Sequence, residues 1–448
     1  MSGSDPSGLP FGQQLPRIRV RPPGPRSRQL AARLRRVESR NVTYVSDTFP
    51  VFWQRAHGAN VEDADGNVYL DLSGAFGVAS AGHTPVAVTD AVTAQVSLLV
   101  HGMGDIHPPA LKVDLLERLA RLAPWRSARA VLASSGSEAV EIALKTALLA
   151  TGRTGVLAFE GSYHGLTLGA LAVTHREDFR APFRERLFPG VRFLPFPGGV
   201  GGTPVHEAIH AVSAALSGGD DGPPVGAILV EPVQGRGGVR VPPPGFLSHV
   251  ADLAREHGAL VVCDEIFTGL GRTGRMFAFE HEGIQPDLFC VGKALGGGMP
   301  LSACLGPRRV MDAWPESAGE ALQTSTFLGH PLSCAAALAF LDTLEREGLV
   351  RRAREVGAAL LAGLRADLAD HPAVTDVRGR GLLIGVELAT GPDLRPGPEV
   401  AEALLRRGVI LLPAGPDGRV LELAPPLTIS EDQVAFAREI LRAEITRA

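Results

Sequence analysis

At 448 residues the chain exceeds one average domain and points to two or three, and a hydrophobic fraction of 45% is enough for a sizeable core. A formal net charge of -4 gives no reason to expect a nucleic acid or an anionic membrane surface as partner. The cysteines at 263, 290, 304 and 334 have no CxxC spacing, no run reaches membrane length, and the N-terminus lacks a signal-peptide core. Buried thiols, no metal site and a soluble cytoplasmic protein are therefore expected.

In chain order, residues 1–28 are rich in Pro, Gly, Ser and Arg and read as a mobile tail or an arm on a partner subunit. Gln29 to Arg40 has helical spacing, and residues 49–72 read as a hairpin turning at Asp65 and Gly66. A glycine-rich stretch over 73–83 precedes a helix after Pro85. From Val131 the pattern becomes strand, turn, helix. Apolar strand runs at 130–133, 156–159, 192–196, 225–230, 259–264 and 288–291 alternate with helices at 138–150 and 244–257. That alternation predicts an α/β fold with a mainly parallel sheet covered on both faces. Helices at 335–347 and 351–369, a strand at 382–387 and a helix from Ser430 predict a smaller α/β domain that joins the N-terminal segment. The expected division is a tail over 1–28, a large domain over 76–331, and a small domain formed by 29–75 and 332–448.

The chemistry concentrates where strands end. The run ALVVCDE over 259–265 delivers Asp264 to the C-terminal edge of a buried strand, where open α/β sheets place their ligands. The run LFCVGKALGGG over 288–298 puts Lys293 beside a glycine cluster on the same edge. A surface lysine is the commoner outcome, but an apolar strand before it favours a desolvated amine with a lowered pKa. A carboxylate and a strand-end lysine are what pyridoxal phosphate chemistry requires. The lysine holds the aldehyde as a Schiff base, and the carboxylate keeps the pyridine nitrogen protonated. Ser135, Gly136 and Ser137 open a helix after a strand, an anion site by virtue of free N–H groups, or simply a serine cap. The run GSYHG over 161–165 reads as a structural turn or as an aromatic platform. The run GLGRTG over 269–274 matches a dinucleotide fingerprint, but it neither leaves a strand directly nor opens a helix, so that reading is rejected.

From about Tyr44 to the C-terminus these motifs together resemble the class III aminotransferases of fold type I. The resemblance implies pyridoxal 5'-phosphate as cofactor, Lys293 and Asp264 as catalytic residues, and Ser135, Gly136 and Ser137 at the phosphate. It further implies Tyr163 stacked on the ring, with His164, Glu231 and Ile266 in the cofactor pocket. Thr326 would reach the phosphate of a neighbouring subunit, so a homodimer or larger assembly is expected. Arg378 would bind the substrate carboxylate, with Phe76 and Arg236 at the substrate mouth. The implied reaction is transfer of an amino group from an amino acid or amine to an α-keto acid. Racemisation or decarboxylation on the same scaffold is the alternative.

Three positions depart from relatives that act on 4-aminobutyrate or ornithine. Leu166 stands where they carry an arginine, Arg236 where they carry a glutamate, and Phe267 where many carry a glutamine. The departures leave the cofactor chemistry intact and bear on the donor.

Overall fold

The computed structural model describes residues 9–218, 222–392 and 394–447. A seven-stranded sheet runs in the order Ala128–Ala133, Ser302–Pro307, Leu288–Val291, Leu260–Asp264, Val225–Val230, Gly155–Phe159, Val191–Leu194. Ser302–Pro307 is antiparallel to both neighbours, and the other pairings are parallel. Val225–Val230, Leu288–Val291 and Ser302–Pro307 are buried along their whole length, as unbroken apolar runs demand when helices cover both faces. On one face helix Gly136–Thr151 packs Ala139, Val140 and Ala143 into the sheet. On the other, helices Val205–Leu216 and Phe246–His257 close over Phe159, Phe196 and Phe246, whose rings meet edge to face. Gly152 and Gly258 end two of these helices in the left-handed conformation. Every parallel strand therefore ends on the same edge, and the loops carrying residues 134–137, 161–166, 231–239, 264–267 and 292–293 meet there.

Two four-stranded sheets form the rest. In the first, strands Trp53–His57, Asn60–Asp63 and Val68–Asp71 are joined by Val409–Ile410, parallel to Val68–Asp71, so the N-terminal and C-terminal segments share one sheet as expected. The Asp63 carboxylate closes the hairpin turn, accepting from the backbone of Asp65 and Asn67 and from the Tyr69 hydroxyl. The second sheet, in the order Val374–Arg380, Leu383–Leu388, Val420–Leu423, Leu412–Ala414, is antiparallel throughout.

The structure differs from the sequence reading at the N-terminus. Residues 1–8 of the expected tail lie outside the described residues, but the rest of that stretch is docked rather than mobile. Asn60 Oδ1 accepts from the backbone of Gly12 and Gln14, Arg17 bridges Val68, and Gln433 Nε2 donates to the carbonyls of Gly12 and Gln14. Buried amide side chains need such partners, and the arm supplies them. Its helix begins at Pro25 instead of Gln29, with proline in the first turn. Helix Ala110–Leu122 and the antiparallel strand Ser302–Pro307 are additions to the expected elements.

Candidate active site

Asp264 ends its strand 4% exposed. Its Oδ2 lies 2.7 Å from His164 Nδ1, and its Oδ1 accepts the Ile266 N–H at 3.0 Å. An ionised carboxylate can only accept, so His164 Nδ1 carries the proton and aims the carboxylate. The other ring nitrogen, His164 Nε2, is buried without a hydrogen-bond partner among the described residues. Glu231 follows the neighbouring strand, where its Oε1 accepts the Tyr163 N–H at 2.9 Å. Burial pushes its pKa up to about 7.

Lys293 follows strand Leu288–Val291 with φ of 44°, a left-handed conformation that costs a non-glycine residue roughly 1–2 kcal/mol and is stored mostly at functional sites. Its Nζ stands 3.9 Å from the centre of the Phe267 ring and has no hydrogen-bond partner among the described residues. Burial lowers its pKa, while Glu422, Asp264 and Glu231 act in the opposite direction. The Phe267 ring is held between two glycines. A Cβ on Gly77 would come within 2.5 Å of the ring, and one on Gly235 within 2.3 Å.

Helix Gly136–Thr151 opens on the same edge. Ser135 and Glu138 form a reciprocal cap, which leaves the N–H groups of Gly136 and Ser137 directed out of the helix end. Ser137 Oγ accepts the Leu166 N–H at 3.1 Å, and a Cβ on Gly165 would overlap that oxygen at 1.9 Å. Ile266 crosses this floor, near enough to Gly136 and Gly292 to meet a Cβ on either. The structure thus brings together Ser135, Gly136, Ser137, Tyr163, His164, Glu231, Asp264, Ile266 and Lys293.

Four expected site residues lie differently. Phe76 is 55% exposed with φ of 61°, on the short turn Gly74–Gly77. Thr326 is exposed on the loop before helix Pro331–Arg346 and makes no side-chain hydrogen bond within the chain among the described residues. Arg236 stands over the Tyr163 ring at 5.6 Å, and no hydrogen bond or ion pair engages its guanidinium among the described residues. Beside it opens a cleft of about 610 Å³, lined also by Arg176, Arg240, Glu387 and Arg419. Arg378 reaches that cleft, but most of its donors are committed. Nε and Nη2 go to the carbonyls of Val239 and Gly238, and Nη1 goes to Asp376 and Glu387. Four of its five N–H groups are thus engaged, which leaves one Nη2 N–H toward the cleft rather than the two-pronged fork expected for a substrate carboxylate. Sequence reasoning also missed Glu422, a lone charge inside the apolar strand Val420–Leu423 and only 4% exposed. A charged residue in a buried strand run was the available signal.

Residues 42–445 match the family model described as aminotransferase class-III. The chain belongs to the class III aminotransferases. This aminotransferase is 38% identical over 438 residues to a 4-aminobutyrate aminotransferase of Mycobacterium leprae, covering 94% of this chain and 95% of the relative. It is 34% identical over 448 residues to an alanine/serine racemase of Pyrococcus horikoshii, covering 96% and 93%. Among solved structures, the ornithine aminotransferase of Toxoplasma gondii superposes with a TM-score of 0.83 at 30% identity, covering 94% of each chain. An amine transaminase from an uncultivated Pseudomonas species, solved with pyridoxal phosphate bound, gives 0.83 at 30% identity over 92% of this chain and 98% of that one. The aminotransferase uses pyridoxal 5'-phosphate. The residues present fit that group: an unengaged amine, an anchored carboxylate and an open helix N-terminus share one strand edge, and Gly136, Gly165 and Gly235 keep that edge clear of Cβ atoms.

Proposed function

We propose that Lys293 holds the cofactor and carries the proton transfer of an amino-group exchange between an amine or amino-acid donor and an α-keto acid. The observation that carries this reading is the pairing of an unengaged Lys293 Nζ with an Asp264 carboxylate anchored by His164 at the ends of adjacent strands. Pyridoxal phosphate supplies an aldehyde that condenses with amines and a pyridine ring that takes up electrons. Asp264, anchored by His164, would hold the proton of the ring nitrogen. The N-terminus of helix Gly136–Thr151, with Ser135 and Ser137, takes the phosphate, and Tyr163 flanks the ring. Glu231 fixes the Tyr163 backbone, and Ile266 fills the floor. Lys293 Nζ removes the proton from the donor carbon and returns it to the acceptor, a task for which a lowered pKa suits it.

Arg236 offers its free guanidinium to the carboxylate of the α-keto acid, and Phe76 and Leu166 form the apolar rim. With Leu166 at an arginine position and one N–H left on Arg378, a distal carboxylate on the donor finds no two-pronged fork. 4-Aminobutyrate, named in the M. leprae relative, is therefore expected to be a poor donor. The domain reading is a large domain over 76–331 and a small domain from 29–75 and 332–448. The working unit is a homodimer in the cytoplasm. Exposed apolar side chains at Leu98, Leu99, Ile106 and Phe327, together with the exposed Thr326 loop, support a subunit contact there, and light scattering that found an active monomer would exclude it.

Lys293→Ala is the deciding variant. It should abolish turnover with every donor while retaining cofactor after dialysis, because the phosphate and ring contacts remain. Substantial activity in that variant would end this assignment. The relative named as a racemase supports a second reading, which the wild-type protein separates: loss of optical activity in an amino acid, with no amino group passed to the keto acid, would favour it.

A further inference from the structure

Glu422 is a buried carboxylate that the proposed mechanism leaves idle, and unlike Glu265, which accepts from the Thr268 hydroxyl and the Phe279 N–H, its Oε2 has no hydrogen-bond partner among the described residues. Strand Val420–Leu423 turns Leu421 and Leu423 into the main core, and its other face looks toward the active site. On that second face Val420 lies against Gly238 of the loop bearing Arg236, and that loop is tied down by the Gly415 N–H bonded to the Arg236 carbonyl. Two residues beyond Glu422, Ala424 packs in one apolar cluster with Phe267, whose ring carries the Lys293 ammonium. Glu422 lies between these two, so it occupies the wall that joins the Arg236 loop to Lys293.

Its chemistry is unresolved by the protein itself. The side chain is 4% exposed, and Oε2 is buried with no hydrogen-bond partner among the described residues. Among the described residues no cation is in ion-pair contact with it. Arg272, the buried guanidinium nearby, commits its terminal nitrogens to the carbonyls of Leu382 and Pro425 and to the Ser80 hydroxyl. A carboxylate kept for structure alone is normally paired or hydrogen-bonded when buried this far. Of the charged groups around Lys293, Glu422 acts on it most strongly, ahead of Asp264 and Glu231. Burial raises the pKa of Glu422, and Lys293, ahead of Arg236 and Arg272, acts in the opposite direction; an amine held by the cofactor would no longer supply that charge.

We propose that Glu422 is a specificity-determining residue that receives a second protonated amine of the donor, so that this site selects diamines over donors bearing a carboxylate at the same place. The inference rests on the assignment of Lys293 as the cofactor lysine. It inverts the polarity expected for a carboxylate-binding pocket: the buried free group beside the reacting amine is an acceptor, and the free donor, Arg236, is left for the keto acid. With 1,4-diaminobutane and an α-keto acid, the products are 4-aminobutanal and the α-amino acid. One C–N bond of the diamine becomes C=O, the keto carbon gains the amine and two electrons, and the second amine passes through unchanged on Glu422.

The test uses the cofactor-loaded protein, one fixed keto acid, and three four-carbon donors that differ at the far end: 1,4-diaminobutane, butylamine and 4-aminobutyrate. In the wild type, kcat/KM should run in that order, with the diamine exceeding butylamine roughly ten- to hundredfold, the range of a charge-assisted hydrogen bond. In Glu422→Gln the ratio of diamine to butylamine should collapse toward one, with the loss in KM. The inference is overturned if 4-aminobutyrate outruns the diamine in the wild type, or if Glu422→Gln slows every donor in the same proportion. Failure of the wild type to turn over butylamine or any other amine would instead remove the Lys293 assignment beneath it, and the inference with it.

Discussion

The seat of Phe267 gives a sharp test of how this active site is built. Gly235→Ala adds one methyl group where an ideal Cβ would stand 2.3 Å from Phe267 Cδ1 and 2.6 Å from Cε1. Carbon atoms in contact need roughly 3.5–4.0 Å, so the ring must shift by more than an ångström or the loop must move. Retreat is blocked on the opposite side, where Gly77 already lies so near that its own Cβ would fall 2.5 Å from the ring. Forcing a methyl into such a site costs about 1–3 kcal/mol. Part of the displacement passes to Lys293, whose Nζ rests 3.9 Å from the ring centre in a contact worth roughly 0.5–2 kcal/mol. Urea unfolding should show the stability loss, and kcat/KM for any accepted donor should fall with it. A double-mutant cycle isolates the cause. Phe267→Leu shrinks the obstructing group, so adding Gly235→Ala to it should cost at least about 0.5 kcal/mol less than in the wild type. If the two substitutions prove additive, or Gly235→Ala is silent in both assays, the sandwich does not hold the ring.

Other outcomes follow from individual groups. Asp264→Asn removes a charge that can shift a partner's pKa by about 1–3 units, so kcat should fall by about tenfold to thousandfold, and an unaltered kcat would make Asp264 merely structural. Arg378→Met breaks a buried pair to Glu387 and a part-buried one to Asp376 and should cost about 3–5 kcal/mol in urea, whereas a selective rise in KM for the keto acid with full stability would place Arg378 in the substrate site. Glu265 is 1% exposed, and burial raises its pKa from 4.5 to about 7. Between those values the folded chain holds a proton that the unfolded chain releases, so this group's contribution to stability falls as pH rises through that window. Glu265→Gln should therefore gain on the wild type by about 3 kcal/mol from pH 5 to pH 8, and a difference that stays flat with pH would contradict the shift.

The parts of the fold set by hydrophobic runs were legible in the sequence. The strand ending at Asp264, the strand before Lys293 and the serine-capped helix at 136 carry their own signals, because a buried parallel strand needs an unbroken apolar run and a helix needs a cap. The surroundings of Arg378 were hidden for an equally physical reason. An arginine in a glycine-rich stretch looks available, and only the folded chain reveals that the carbonyls of Gly238 and Val239 and the carboxylates of Asp376 and Glu387 take four of its five N–H groups. The N-terminal arm was misread because Pro, Gly and Arg describe a loop equally well whether it is docked or free. Its partners, Asn60 and Gln433, are 46 and 419 residues from Gln14 along the chain. Strand Ser302–Pro307, with Ser, Gly and Pro among its residues, carries a weaker apolar run than its neighbours, and nothing local marks its reversed direction.

The four cysteines have a practical use. Cys263, Cys290 and Cys304 lie on three successive strands at the centre of the large sheet, Cys334 lies on helix Pro331–Arg346, and all four are buried. Burial raises the pKa of Cys263 and Cys334, and a hydrogen bond with Cys304 together with burial raises that of Cys290, so little reactive thiolate of these three is present at neutral pH. Native protein should be nearly inert to thiol reagents, and slow labelling should time the opening of the sheet itself. On that silent background, a cysteine introduced at the exposed Leu166 would be the first to label, and a fluorophore there could follow donors arriving at the rim in real time.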